Sequence, residues 1–150
     1  MSIKVIALGN VLMKDDGVAI EVARKIEKEL SEKNIEVILG ETDAQYCISK
    51  IKEEDYIFVI DAACYEKAPG EITYISLEDF VSNKKEGFQH SYSFLDLIKL
   101  YYPNIKGKIY GIEVEEVGFG LGLSCALQNR SDNISKEILN DMEKIFLYEN

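Results

Sequence analysis

The chain has 150 residues, 47% hydrophobic and 29% charged, with two prolines and no low-complexity tract. That length suits one domain covering residues 1–150 with a sizeable core, and the composition excludes extended disorder. The formal net charge of −10 excludes a nucleic-acid binder, which needs a basic face to displace counterions from phosphate, and equally a binder of anionic membrane surfaces.

Ile3 to Leu8 reads as a buried strand, short and β-branched, ended by Gly9-Asn10. After Asp15-Asp16-Gly17, Val18, Val22, Ile26 and Leu30 recur at i+4 steps, with Ala19 and Ala23 widening the stripe, so the spacing predicts an amphipathic helix. Ile35 to Leu39 is a second strand, followed by a helix-compatible stretch from Asp43 to Lys52. Tyr56 to Ala62 is apolar on both faces, as a central strand covered by helices on both sides must be. Pro69-Gly70 signals a turn into a strand over Glu71 to Ile75, and the polar Lys84 to Gln89 reads as loop. Ser91 to Tyr101 carries Phe94, Leu95, Ile98 and Tyr101 at helical spacing before Pro103, and Lys108 to Val114 is a further strand. Gly118, Gly120 and Gly122 then form a flexible connection, permitting a tight approach into a last helix with Leu127, Ile134, Ile138, Met142, Ile145 and Phe146 on one side. Strands alternating with helices predict an α/β fold, a mostly parallel sheet between two helical layers.

Cys47, Cys64 and Cys125 are odd in number and far apart, without a Cys-x-x-Cys pair, so buried reduced thiols are expected rather than a zinc or redox site. Met1-Ser-Ile-Lys runs straight into the first strand with no signal-peptide core, and the most apolar stretch, Tyr56 to Cys64, is nine residues interrupted by Asp61. A soluble, cytoplasmic protein is the expectation.

Three polar positions stand out by placement. Asp16 follows the first strand, Asp61 ends the most buried one, and His90, the one histidine of the chain, stands at the start of a helix. Ligands of open α/β sheets bind beyond the carboxyl ends of the strands, where the two acids fall. Two carboxylates and an imidazole suit a divalent first-row metal. Each residue also has a purely structural reading: Asp15 or Asp16 as a helix cap, Asp61 satisfied by turn amides, and His90 as an ordinary histidine, with Ser91 and Ser93 capping the helix it precedes. There is no zinc-protease helix, no nucleophile elbow and no Walker loop.

Gly9-Asn-Val-Leu-Met-Lys-Asp-Asp-Gly17 resembles the opening motif of the nickel–iron hydrogenase maturation endopeptidases. The likeness continues in order through Val59-Ile-Asp-Ala62, Pro69-Gly70, Gln89-His-Ser91, Leu95-Asp-Leu97, Gly111-Ile-Glu113 and Gly122-Leu-Ser124. Glu113 stands where glutamine is common in that family, and Gly40-Glu-Thr-Asp43 replaces a more glycine-rich turn, a departure that bears on which hydrogenase is recognised. The resemblance implies a twisted sheet sandwiched between helices, acting as a monomer. It implies cleavage of a short C-terminal extension from the hydrogenase large-subunit precursor after nickel insertion. It places the family's metal-reading acids on Asp16 and Asp61 and its histidine on His90. Nickel then arrives with the precursor, and the free protease need not hold a metal. Either the metal polarises the scissile carbonyl, or Asp16 or Asp61 acts as general base while nickel positions the substrate. Two other classes fit parts of the pattern. A phosphoacceptor receiver domain shares an acid pair after its first strand and an aspartate ending its third, although six residues separate Leu8 from Asp15 here. A non-catalytic nickel-binding maturation chaperone would bind the precursor without shortening it.

Overall fold

The computed structural model describes residues 2–80 and 87–149. Among these residues five strands form one sheet: β1 (Ile3–Leu8), β2 (Glu36–Glu41), β3 (Tyr56–Ala63), β4 (Ile72–Ser76) and β5 (Lys106–Glu113), in the order β2-β1-β3-β5-β4. All neighbours are parallel except β4, which runs antiparallel to β5 at one edge. Among the described residues four α-helices cover the sheet: α1 (Val18–Glu32), α2 (Ala44–Ser49), α3 (Ser91–Tyr101) and α4 (Cys125–Glu149).

The period of two along a strand decides which helices lie on which face. Val5, Ala7, Phe58, Ile60, Ala62, Tyr110 and Ile112 pack with the apolar stripes of α1 and α4. Their alternates, Ile6, Leu8, Ile57, Val59, Ala63 and Ile109, pack with α2 and α3. The three-layer α/β/α arrangement therefore follows from the apolar runs over residues 5–8, 57–60 and 109–112, which leave neither face of the central strands fit for water. Leu127, Ile134, Ile138, Met142 and Phe146 of α4 are all buried, as the spacing requires.

β1 and Ser91–Tyr101 match the sequence expectation residue for residue. The stretch from Asp43 to Lys52 yields a shorter helix, Ala44–Ser49, with Asp43 as its cap: the Asp43 carboxylate accepts the Tyr46 N–H at 2.9 Å. Of the segment expected to be loop, Lys84 to Glu86 lie outside the described residues. The remainder pairs instead with the end of β3, where the Cys64 and Gln89 N–H groups donate to Gly87 O and Ala62 O. One of the three thiols is buried as expected, Cys47, and burial first, then the Asp43 charge, pushes it up to about 12. Cys64 and Cys125 are exposed, since each sits just past the end or at the start of an element rather than on a core stripe.

The chain leaves β1 toward β2 on one side and returns to β3 on the other. The two outgoing connections consequently lie on opposite faces of the sheet, opening a crevice at the carboxyl ends of β1 and β3. A receiver domain has the parallel strand order 2-1-3-4-5; the antiparallel β4 outside β5 breaks that pattern, and the receiver reading is excluded on topology.

Candidate active site

The loop between β1 and α1 is drawn tightly over the strand end. Gly9 has φ +145, and a Cβ there would stand 2.3 Å from the Asp16 carbonyl, so only glycine lets the loop close. The loop ends in a single 3-10 turn, Asp15–Gly17. The Asn10 N–H donates to Asp16 Oδ2 at 3.0 Å, and Asn10 Oδ1 accepts the Leu12 N–H at 2.9 Å, which fixes the direction of the Asp16 carboxylate.

Neither acid of the pair caps α1, whose N-terminus has no side-chain cap. Asp15 does something different. It has no exposed surface, and it accepts four hydrogen bonds from residues about a hundred positions later. Oδ2 takes the N–H groups of Glu115 (3.0 Å) and Glu116 (2.8 Å) and the Ser124 hydroxyl (2.8 Å), while Oδ1 takes the Ser124 N–H (2.7 Å). One carboxylate thus ties the first loop to both ends of the segment that precedes α4.

Asp61 lies within β3, two residues before its end, paired with Gly111 of β5. Parity puts its side chain on the face of Ile57 and Val59, beneath α3. There, Asp61 Oδ2 accepts the N–H groups of His90 (2.7 Å) and Ser91 (2.8 Å) and the Ser91 hydroxyl (2.9 Å). Oδ1 accepts the neighbouring Ala62 N–H at 2.9 Å. Asp61 therefore caps α3 from another strand, at the end where the helix dipole favours an anion. Ser91 serves that contact rather than capping the helix itself. Burial, the largest influence, pushes the Asp61 carboxyl up to about 6, against the lowering effects of the His90 charge and of the three hydrogen bonds from His90 and Ser91.

The cap orients His90. Its Nε2 lies 2.8 and 2.9 Å from the two oxygens of Asp16. The side chains are 23% exposed for His90 and 8% for Asp16, whereas Asp61 has no exposed surface. The bond to Asp16 raises the His90 pKa, partly opposed by desolvation and assisted by the charges of Asp61 and Asp16. Asp16 and His90 thus meet side chain to side chain, and Asp61 reaches the pair through the backbone of His90. Among the described residues no group of three His, Cys, Asp or Glu side chains already converges on one point. A recess of about 80 Å³ adjoins His90, lined by Leu8, Phe94, Ala44, Thr42 and Glu41 among others. A wider hollow of about 500 Å³ lies at the other end of α3, around Ile98, Tyr102 and Ile105, and contains none of the three residues.

Two buried residues were not expected at this edge. The sequence marks Asp15 as one of two possible caps and Glu113 as a departure from glutamine. Both Glu113 carboxylate oxygens accept the Tyr65 N–H, at 2.9 and 3.0 Å, holding the turn after β3. Their partners are remote in sequence, so no local spacing signals either role.

An imidazole in contact with one carboxylate and braced by a second, buried acid thus stands at the carboxyl edge of an α/β sheet, and likeness to known proteins gives the class of the chain. A sequence model of the hydrogenase maturation protease family matches residues 20–141, a span that includes Asp61 and His90 and begins just after Asp16. A Methanocaldococcus jannaschii protein, described provisionally as a hydrogenase maturation protease, is 29% identical over 145 residues, covering 95% of this chain and 90% of its own length. The structure of the [NiFe] hydrogenase maturation protease HybD from Thermococcus kodakarensis superposes with a TM-score of 0.78 at 28% identity, covering 95% of this chain and 99% of that one. The maturating endopeptidase HybD of E. coli shares the fold, with a TM-score of 0.77 at 18% identity over 96% of this chain and 93% of its own. The chain belongs to the hydrogenase maturation protease family, and it is a peptidase. No helix among the described residues is long and apolar enough to cross a membrane.

Proposed function

We infer that the protein is a cytoplasmic, monomeric endopeptidase that removes a short C-terminal extension from the nickel-loaded precursor of a nickel–iron hydrogenase large subunit. In this reading Asp16, Asp61 and His90 together recognise the nickel that the precursor carries, His90 by direct contact and the two acids through their charge and their hold on the imidazole. The observation that carries it is the contact of His90 Nε2 with both oxygens of Asp16, partly open to solvent, in a chain of this family. An imidazole nitrogen and a carboxylate side by side suit a divalent first-row ion.

The three residues divide the work. Nickel bound by the precursor competes with Asp16 for His90 Nε2 and so locates the scissile bond. Asp16, released from the imidazole, is the better general base toward water, because geometry ranks before pKa and its side chain retains exposure. Asp61, whose Oδ2 is fully committed to His90 and Ser91, sets the imidazole direction and adds negative charge beneath the metal. Water adds across the peptide bond, its proton passing through the base to the leaving amine, and the two products separate as a new C-terminal carboxylate and a free tail peptide. Asp16→Asn, Asp61→Asn and His90→Gln variants, incubated with nickel-loaded precursor and followed by intact-mass spectrometry, should each leave the tail attached. Normal tail removal by both aspartate variants would refute the assignment.

A further inference from the structure

Against the loop that carries Asp16 the chain exposes several large apolar side chains. Val117, Phe119 and Leu121 alternate with Gly118, Gly120 and Gly122 and are 49%, 90% and 81% exposed; Leu12, across the same loop pair, is 58% exposed. Close packing does not explain these glycines: an added Cβ at Gly118 or Gly122 would meet nothing within 4 Å, and only Gly120 faces a neighbour, the Lys14 side chain. All three have positive φ, so they give the strap its course, and this corrects the expectation of a tight approach.

The strap is held at three points. Gly120 N–H donates to Leu12 O (2.9 Å) and Lys14 N–H donates to Gly120 O (3.0 Å), while Asp15 N–H donates to Glu116 O (3.0 Å). The Asp15 carboxylate closes both ends of the strap on Glu115, Glu116 and Ser124. A segment so firmly anchored beside Asp16, yet turning its large side chains to water, is arranged to meet something. The four side chains offer on the order of 500 Å² of apolar surface, the size of the largest patches on ordinary monomers, which are often functional. That is short of the roughly 800 Å² per partner of a stable complex, a second copy of this chain included. It fits a partner that also occupies the adjacent site and leaves after reaction. Among the described residues Glu116 pairs with Lys14 and Glu115 with no cation, and these flanking carboxylates favour a partner with a basic rim.

We propose that the Val117–Leu121 strap, with Leu12, is the docking surface for the folded body of the precursor, resting on the protease reading above. Phe119 and Leu121 are the anchors, and the Asp15 clasp keeps them in fixed register with Asp16. The test measures processing of nickel-loaded precursor over a range of concentrations by wild type, by a Phe119→Ser/Leu121→Ser double variant, and by Leu147→Ser, which removes an equally exposed leucine on α4. The double variant should raise KM at least tenfold while Leu147→Ser stays within twofold. A double variant within twofold of wild type in KM overturns the docking surface and leaves the protease reading standing. A fall in kcat with KM unchanged also overturns it, since the strap would then act on site geometry alone. A wild-type dimer that the double variant dissolves, with KM unchanged, would assign the patch to a second copy instead. Failure of the wild type itself to shorten the precursor would remove the protease reading and the docking surface with it.

Discussion

Replacing Asp61 by asparagine should stabilise the protein near neutral pH while abolishing its activity. The carboxyl is pushed from 3.8 to about 6, chiefly by burial. Because the folded pKa is raised, the folded state holds the proton more tightly than the unfolded chain, and stability falls as pH rises from about 4 to 6. At about 1.4 kcal/mol per pKa unit, the ionised group costs the fold about 3 kcal/mol in full. About 1 kcal/mol of this is present at pH 4.5 and about 2 kcal/mol more is added by pH 7.5. Asparagine has the size of the protonated acid and carries no charge, so it escapes this penalty. Its amide can still accept from the His90 and Ser91 N–H groups, at the expense of about 1 kcal/mol where its NH2 meets the Ala62 N–H. His90, also raised, loses stability in the same direction as pH climbs, and weakening its link to Asp61 adds to the difference rather than cancelling it. Urea unfolding of both proteins at pH 4.5 and 7.5 should show Asp61→Asn gaining about 2 kcal/mol more at the higher pH. An equal effect at both pH values, or a loss of stability at pH 7.5, would refute the reasoning. A functional site that keeps a buried charge against its own fold is a familiar exchange of stability for activity.

Other outcomes follow from the same contacts. Asp15→Ala leaves the buried Ser124 N–H and hydroxyl without an acceptor, while the Glu115 and Glu116 N–H groups can turn to water; a loss of about 3 kcal/mol in urea unfolding is expected, and less than 1 kcal/mol would count against the clasp. Gly111→Ala would set a Cβ 2.4 Å from the Phe88 ring, two residues before His90, so thermal unfolding should report a loss of about 1–3 kcal/mol together with slower processing, and a neutral variant would show that Phe88 is free to move. A colorimetric thiol assay on the native protein should count two fast thiols, Cys64 and Cys125, with Cys47 reacting only on unfolding; three fast thiols would contradict its burial.

Much of the layering could be read from the chain because continuous apolar runs and i+4 stripes are local signals. β1 and α3 are legible to the residue, and the two acids, Asp16 and Asp61, lie beyond or near the carboxyl ends of their strands as expected. What local spacing could not show is how they meet. Asp61 acts through α3 because strand parity points it there and because Gly111 and Phe88 bring the segment before α3 across the strand, a contact joining positions twenty-nine and thirty apart. Asp15 and Asp16 are adjacent and chemically identical, yet one closes a loop a hundred residues away and the other faces the imidazole. Only the 3-10 turn that rotates them apart distinguishes them. The position of β4 outside β5 was equally out of reach, because nothing in Ile72–Ser76 specifies which sheet edge it joins.

On the proposed reading the Asp16–His90 pair meets nickel carried by a protein substrate. The most direct test is intact-mass spectrometry of nickel-loaded and nickel-free large-subunit precursor after incubation with this protein. Loss of a C-terminal peptide from the nickel-loaded form alone is the predicted result; equal shortening of both forms, or binding without any shortening, would contradict it.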